Sequence, residues 1–159
     1  MSIKKLALVL CVVILGAAFL WHSSKQRYQR KQDVDRFTAE FESDFRPIAA
    51  VPDYLKNHVP DVNTVNNVTD YPDKIRKMQN EYSSTQISLA ASTLCRQAAD
   101  LGGSMRARIK DVMSTEAANT EAVKAGKPTV AIGPDPFKSD IPVWQDKIQK
   151  IEAQVQVLQ

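Results

Sequence analysis

Sixteen consecutive residues without a charge, Leu6 to Trp21 (LALVLCVVILGAAFLW), constrain this chain more than any other feature. A helix rises 1.5 Å per residue, so the run spans roughly 24 Å against a hydrocarbon core of roughly 30 Å. Ile3 lengthens it, and Lys4 and Lys5 can extend their ammonium groups outward along apolar stems. Trp21 stands where an interfacial aromatic anchor stands, with His22, Lys25, Arg27, Arg30 and Lys31 just beyond. The run therefore reads as an uncleaved single-pass anchor. The competing reading is a signal peptide, with a basic head, an apolar core and small residues at Gly16 and Ala18. Phe19, Leu20 and Trp21 carry the apolar character past that cleavage point. Leu10 stands where a lipoprotein signal wants a small residue before Cys11.

Topology is argued in both directions. Basic residues near the run number two before it and five after it through residue 38, which by the positive-inside rule keeps the long C-terminal part in the cytoplasm. A short basic head followed at once by an apolar core is instead the pattern of export. The export pattern sets the expectation: a bacterial inner-membrane protein with its C-terminal part in the periplasm.

Charge divides the chain at the same place. Residues 1–31 hold six Lys or Arg and no acid, whereas residues 32–159 hold fifteen Lys or Arg against eighteen acids. The basic character belongs to the flank, whose simplest partner is anionic lipid headgroups. The acidic remainder has no electrostatic footprint for nucleic acid.

The expected fold is all-α: a membrane helix followed by a small helical domain of about four helices. Residues 1–31 form the anchor or signal with its flank, 32–126 the helical domain, 127–140 a connector and 141–159 a C-terminal amphipathic helix. From Ser23 to about Asp44 there is no Gly or Pro, and Val34, Phe37, Phe41, Phe45 and Ile48 recur at spacings of 3, 4, 4 and 3. That is a packing stripe, continuous with the anchor. Pro47 is expected to end the helix near Phe45 or Arg46, and residues 47–72, with Pro47, Pro52, Pro60 and Pro72, to form an irregular loop. Its apolar residues, among them Val51, Leu55, Val62 and Val68, should pack on the domain. Asn67-Val68-Thr69 matches the glycosylation acceptor pattern by composition alone.

A helix is expected from Asp70 to Leu101, stopped by Gly102-Gly103, and another from Ser104 to Ala125, capped by Gly126 before Pro128. Residues 127–140 (KPTVAIGPDPFKSD) turn at Gly133-Pro134-Asp135-Pro136, and Thr129 to Ile132 would make a very short strand without a partner. Pro142 suits the first turn of the last helix. There Ile141, Trp144, Ile148, Ile151, Val155 and Leu158 follow at 3, 4, 3, 4 and 3, a heptad seam that needs a surface to cover. Three surfaces offer themselves: the Phe stripe of the same chain, a second copy, or a partner protein. The Pro-rich connector favours an intermolecular use, so these six residues are the candidate interaction site.

No residue pattern announces a reaction. The two histidines are His22 and His58, and Cys95 with His58 is the one conceivable nucleophile–base pair. Cys95 lies in an Ala-rich helix with Ala91, Leu94 and Ala98 at core-like spacing, so a buried thiol is expected, without cross-chain pairing. Gly102-Gly103-Ser104 lacks the G-x-S-x-G context of a serine elbow. Metal-ligand spacings, dinucleotide and phosphate loops are missing, so neither cofactor nor metal is expected. Arg106, Arg108 and Lys110 read as a solvated helix face. The expectation is a non-enzymatic, membrane-anchored interaction or scaffold protein of a cell envelope, with membrane lipid, and either a protein partner or a homo-oligomer, as its contacts. Two alternatives stand beside it. One is a secreted helical binder or inhibitor released by cleavage near Ala18. The other rests on layout alone: anchor, helices, connector and final helix are similar to those of a phage inner-membrane spanin, which implies a role in lysis.

Overall fold

The computed structural model describes residues 3–133 and 135–159, with side chains from Ile14 onward. Cys11, the apolar run before Ile14 as regards its side chains, and Pro134 of the connector turn lie outside this description. The fold is all-helical: α1 (Ile3–Leu55), the short α2 (Val62–Asn67), α3 (Asp70–Glu81), α4 (Ser88–Lys124) and α5 (Asp140–Leu158). No strand occurs among the described residues.

The expected continuity of apolar run and first stripe is realised, since α1 is one helix of 53 residues, about 80 Å long. Its stripe is the spine of the core. Phe37, Phe41 and Ile48 are fully buried, and Phe45, Val51 and Leu55 nearly so. The Phe37 and Phe41 rings lie 5.5 Å apart, Phe41 and Phe45 5.4 Å apart, and Tyr82 meets Phe37 edge-on at 5.1 Å. Such ring pairs add about 0.5–1.5 kcal/mol each beyond the area they bury.

Side-chain hydrogen bonds fix the topology. Tyr82, just past α3, donates to Glu40 Oε2 at 3.0 Å, and Gln145 of α5 donates to Asp53 at 2.8 Å. Gln79 of α3 donates to Ser92 of α4 at 3.0 Å, and Arg108 of α4 donates to Asp140 of α5 at 3.0 Å. Thus α3 and α5 both run antiparallel to α1 and α4, and each packs against both. The result is an up-down-up-down bundle.

Pro47 does not end α1. Both Pro47 and Pro52 lie inside the helix, which runs on to Leu55. A proline within a helix costs about 3 kcal/mol. Beyond Arg46, however, α1 buries Ile48, Val51, Pro52 and Leu55, and full burial of an aliphatic side chain returns about 1.5–3 kcal/mol. Packing outweighs the local preference. The 47–72 loop is therefore mostly helical. It comprises the end of α1, a turn, α2 and the start of α3. Asp61 caps α2 by accepting from the Thr64 N–H at 2.7 Å while Thr64 Oγ1 accepts from the Asp61 N–H. Val68 packs into the core as expected, whereas Val62, expected to pack with it, is exposed on α2.

The long helix expected over 70–101 is broken at residues 82–87 instead. Ser83 and Thr85 hydroxyls take the Asn80 and Tyr82 carbonyls at 2.7 and 2.8 Å, competing with helical hydrogen bonds. Gly102-Gly103 in turn does not stop a helix, because α4 runs through both. Their roles differ. A Cβ on Gly102 would strike the Pro72 ring, so the residue sets the close approach of α3 and α4, whereas a Cβ on Gly103 would meet open space. The end of α4 is as expected: Gly126 at φ 65°, with Lys127 N–H to Ala122 O at 2.8 Å and Gly126 N–H to Val123 O at 3.1 Å, closes a Schellman turn.

The C-terminal seam folds inward. Ile141, Trp144, Ile148, Ile151 and Val155 are buried in the core of their own chain, with Leu158 packed at its edge. Of the three surfaces considered, the Phe stripe together with α4 is the one covered. The connector does not hold α5 away. Phe137 is buried 6.2 Å from Trp144, and Arg108 donates to Asp140 and to the Pro136 carbonyl at 2.9 Å.

Two outcomes follow from this packing. Trp144→Ala should lower unfolding free energy by roughly 3–5 kcal/mol in urea titration, with the association state in sedimentation unchanged. Gly102→Ala should cost about 1–3 kcal/mol from overpacking, whereas Gly103→Ala should gain about 0.5–1 kcal/mol from helix propensity. Equal effects at the two glycines would contradict the α3–α4 contact.

Candidate functional site

Among the described residues the interior holds no reactive constellation. Cys95 is buried among α4 neighbours, and burial pushes its thiol up to about 12. His58 lies in the turn after α1, its ring stacked on Tyr54 at 4.4 Å and its Nδ1 3.0 Å from the Tyr54 carbonyl. It lines a cavity of about 340 Å³ together with Glu116. Cys95 precedes Glu116 by 21 residues of α4, or roughly 30 Å along the helix. The one Cys/His pair in the sequence is therefore not assembled. Among the described residues no three His, Cys, Asp or Glu side chains gather in metal-binding geometry.

Polar contacts in the bundle serve the packing. The Tyr82 hydroxyl is sunk beneath the surface and shares Glu40 with Arg36, whose Nε donates at 2.9 Å. Burial, and then the Glu40 carboxylate, raise the Tyr82 phenol to about 12. Arg108 is the second such knot, binding Asp140, Asp111 and the Pro136 carbonyl. Its spacing alone puts Arg108 on a solvated face, but its side chain is tied to the connector and α5. Nothing in the local sequence marks it, because its acceptors come from the connector and the next helix.

The surface is more informative. On α1, Ile14, Leu15, Phe19, Leu20 and Trp21 are all exposed, Phe19 at 72% and Trp21 at 70%. The Lys25 ammonium sits 5.6 Å from the Trp21 ring. Core packing on α1 begins only at Val34, so residues 22–33 project as a polar rod between apolar run and bundle. No helix of the described residues is long and apolar enough to cross a membrane.

At the other end α4 overhangs the bundle. Val112 is its last buried residue, and Met113 to Lys124 continue as a mostly exposed helix. The connector returns along this overhang. Asn119 holds it with a pair of bonds to Val130, Nδ2 to the carbonyl at 2.7 Å and Oδ1 from the N–H at 2.8 Å. Val59, Val62, Val123 and Val130 are exposed at this end.

Of the six seam residues proposed as an interaction site, the structure brings five into the core, so they are not on offer to a partner in this fold. The exposed apolar run and the far end are the surfaces that remain.

The buried thiol and phenol give the fold an alkaline limit. Both groups are raised from ordinary values of 9.0 and 10.0, so the folded state favours their neutral forms. Their contribution is complete below about pH 9 and is lost as pH climbs towards about 12. Urea midpoints should fall from about pH 9 upward, with Cys95→Ala flattening the lower part of the decline and Tyr82→Phe the upper. A midpoint constant across that window would refute the burial of both groups. No protein-family model, curated protein or solved structure matches the chain.

Proposed function

We propose that this chain is a membrane-anchored helical scaffold of a cell envelope, working through surfaces rather than through chemistry. One observation carries the reading: five large apolar side chains between Ile14 and Trp21 are exposed on a helix that continues without a break into the folded core. Exposed apolar area of that extent requires a cover. A bilayer supplies it, and the flanking residues suit a bilayer. Trp21 and Lys25 form an aromatic–cation pair at the interface position, and Arg27, Arg30 and Lys31 lie one to two turns further on, within reach of anionic headgroups. The twelve residues from His22 to Asp33 then lift the bundle by roughly 18 Å. In this reading the bundle stands in the periplasm of a bacterial envelope, and its far end faces away from the inner membrane.

The secreted alternative has one observation in its favour. The core begins at Val34, so cleavage near Ala18 would leave every buried contact intact.

Fractionation of cells expressing the full chain separates these readings. The anchored protein should sediment with membranes, resist a high-salt wash and dissolve in detergent. Leu15→Lys with Phe19→Lys should release it to the soluble fraction while leaving the bundle's melting temperature unchanged. Intact wild-type protein in the soluble fraction without detergent would remove the anchored reading. A mass lacking the residues before Phe19 would establish the secreted one.

A further inference from the structure

Leu6 to Trp21 is short for a membrane span, and the structure shows where it stops. Sixteen helical residues cover roughly 24 Å, against an ordinary hydrocarbon core of roughly 30 Å. Tilt does not make up the difference, because a tilted helix reaches across less depth. Lys5 bounds the run on one side. On the other, Trp21 is 70% exposed, at the place of an interfacial ring. Side chains on a helix lean towards its N-terminus, so polar groups after Trp21 turn back to the run. The Lys25 ammonium lies 5.6 Å from the Trp21 ring, and the Ser23 hydroxyl donates to the Leu20 carbonyl at 3.0 Å. The charge of Lys25 therefore stands close to the depth of Trp21. A thicker bilayer would draw that charge into hydrocarbon, which is costly.

Charge beyond the run falls in two zones. Residues 22–32 hold Lys25, Arg27, Arg30 and Lys31 and no acid, whereas residues 33–44 hold five acids and Arg36 alone. Lys25 and Arg27 lie roughly 6 and 9 Å past Trp21 along the axis, within reach of a charged surface. Asp33, the first acid, lies roughly 18 Å past it, and the Debye length in physiological salt is roughly 8 Å. Cations thus meet the field of the surface, and acids are held outside it. That order suits an anionic surface.

We infer that α1 is fitted to a bilayer thinner than the ordinary, with anionic phospholipid headgroups in the leaflet that meets Trp21. Its hydrocarbon thickness matches the run at about 24 Å. The inference rests on the anchored reading above and names the lipid that reading requires. A bilayer is favoured over a second copy as the cover. At 3.6 residues per turn, the exposed Ile14, Leu15, Phe19, Leu20 and Trp21 point to all sides of the helix. A helix apolar all round belongs in a surrounding apolar medium, whereas a second helix covers one side. Parallel copies would also set Lys25, Arg27, Arg30 and Lys31 beside their own kind.

The test reconstitutes the full chain in vesicles where a brominated phospholipid competes with an unbrominated one of about 30 Å hydrocarbon thickness. The thickness set by the brominated lipid is stepped from about 22 to about 34 Å. Quenching of Trp21 reports the relative affinity of the run for each lipid. Trp21→Phe supplies the background from Trp144, which is buried in the bundle. Affinity should peak near 24 Å and be about tenfold lower at 30 Å, since mismatch costs accumulate with each ångström. Inserting four leucines between Val13 and Ile14 should move the peak upward by about 6 Å. At matched thickness an anionic phospholipid should be preferred to a zwitterionic one. Lys25→Gln with Arg27→Gln should lower that preference about fivefold for each charge removed, with the bundle's melting temperature unchanged. A peak at 30 Å or above, or an unmoved peak in the four-leucine variant, would overturn the thin-bilayer fit and leave the anchor standing. Equal quenching by anionic and zwitterionic lipid would overturn the headgroup assignment. Trp21 shielded from every lipid in a chain that sediments as a dimer would give the run to a second copy. A chain that enters none of the vesicles would remove the anchored reading and the inference together.

Discussion

The column of rings at Phe37, Phe41 and Phe45 is the contact on which the bundle depends. It places a continuous apolar ridge on α1, and the other elements are arranged around it. On one side Tyr82 closes the α3 end by meeting Phe37 edge-on and reaching Glu40 with its hydroxyl. On the other, Val155 of α5 shares a recess with Phe41 and Phe45. The ridge also explains why α1 survives two prolines. Each removes a hydrogen bond, but the helix is held on its buried side by Ile48, Val51 and Leu55.

Close packing elsewhere relies on small residues. Ala91, Cys95, Ala98 and Gly102 are buried along α4, and α4 packs against α1, α3 and α5. A helix with so many neighbours needs little side-chain volume where axes approach. Gly102 is the tightest of these positions because the Pro72 ring occupies the place of its Cβ. Polar residues then act as latches between elements that the apolar core has already brought together. Arg108 fastens the connector to the start of α5, and Asn119 fastens its outer half to the α4 overhang.

Much of this is readable from sequence. Helical class, the Phe stripe, the cap at Gly126 and the burial of Cys95 all follow from spacing and local chemistry, which act over a few residues. What escapes such reading is decided by distant neighbours. Pro47 and Pro52 read as terminators because their local cost is visible and the compensating burial is not. Gly102 reads as a stop because the Pro72 ring is thirty residues away in sequence. The seam of α5 shows that it must be covered, yet its spacing cannot distinguish the Phe stripe from a partner's surface. Arg108 and Asn119 carry no local mark at all, since what they hold lies in the connector.

The unbroken course of α1 has a mechanical meaning. Between Ala17 and Arg46 it contains neither glycine nor proline, and from Val34 onward it is braced by the bundle. It therefore acts as a lever whose short arm is the apolar run and whose long arm carries the folded mass. In a bilayer, a tilt of roughly 20° is ordinary for a spanning helix. Over the forty-two residues from Ile14 to Leu55, such a tilt carries the far end sideways by about 20 Å. In the anchored reading proposed above, that tilt would set how wide an area the bundle's far end can sweep.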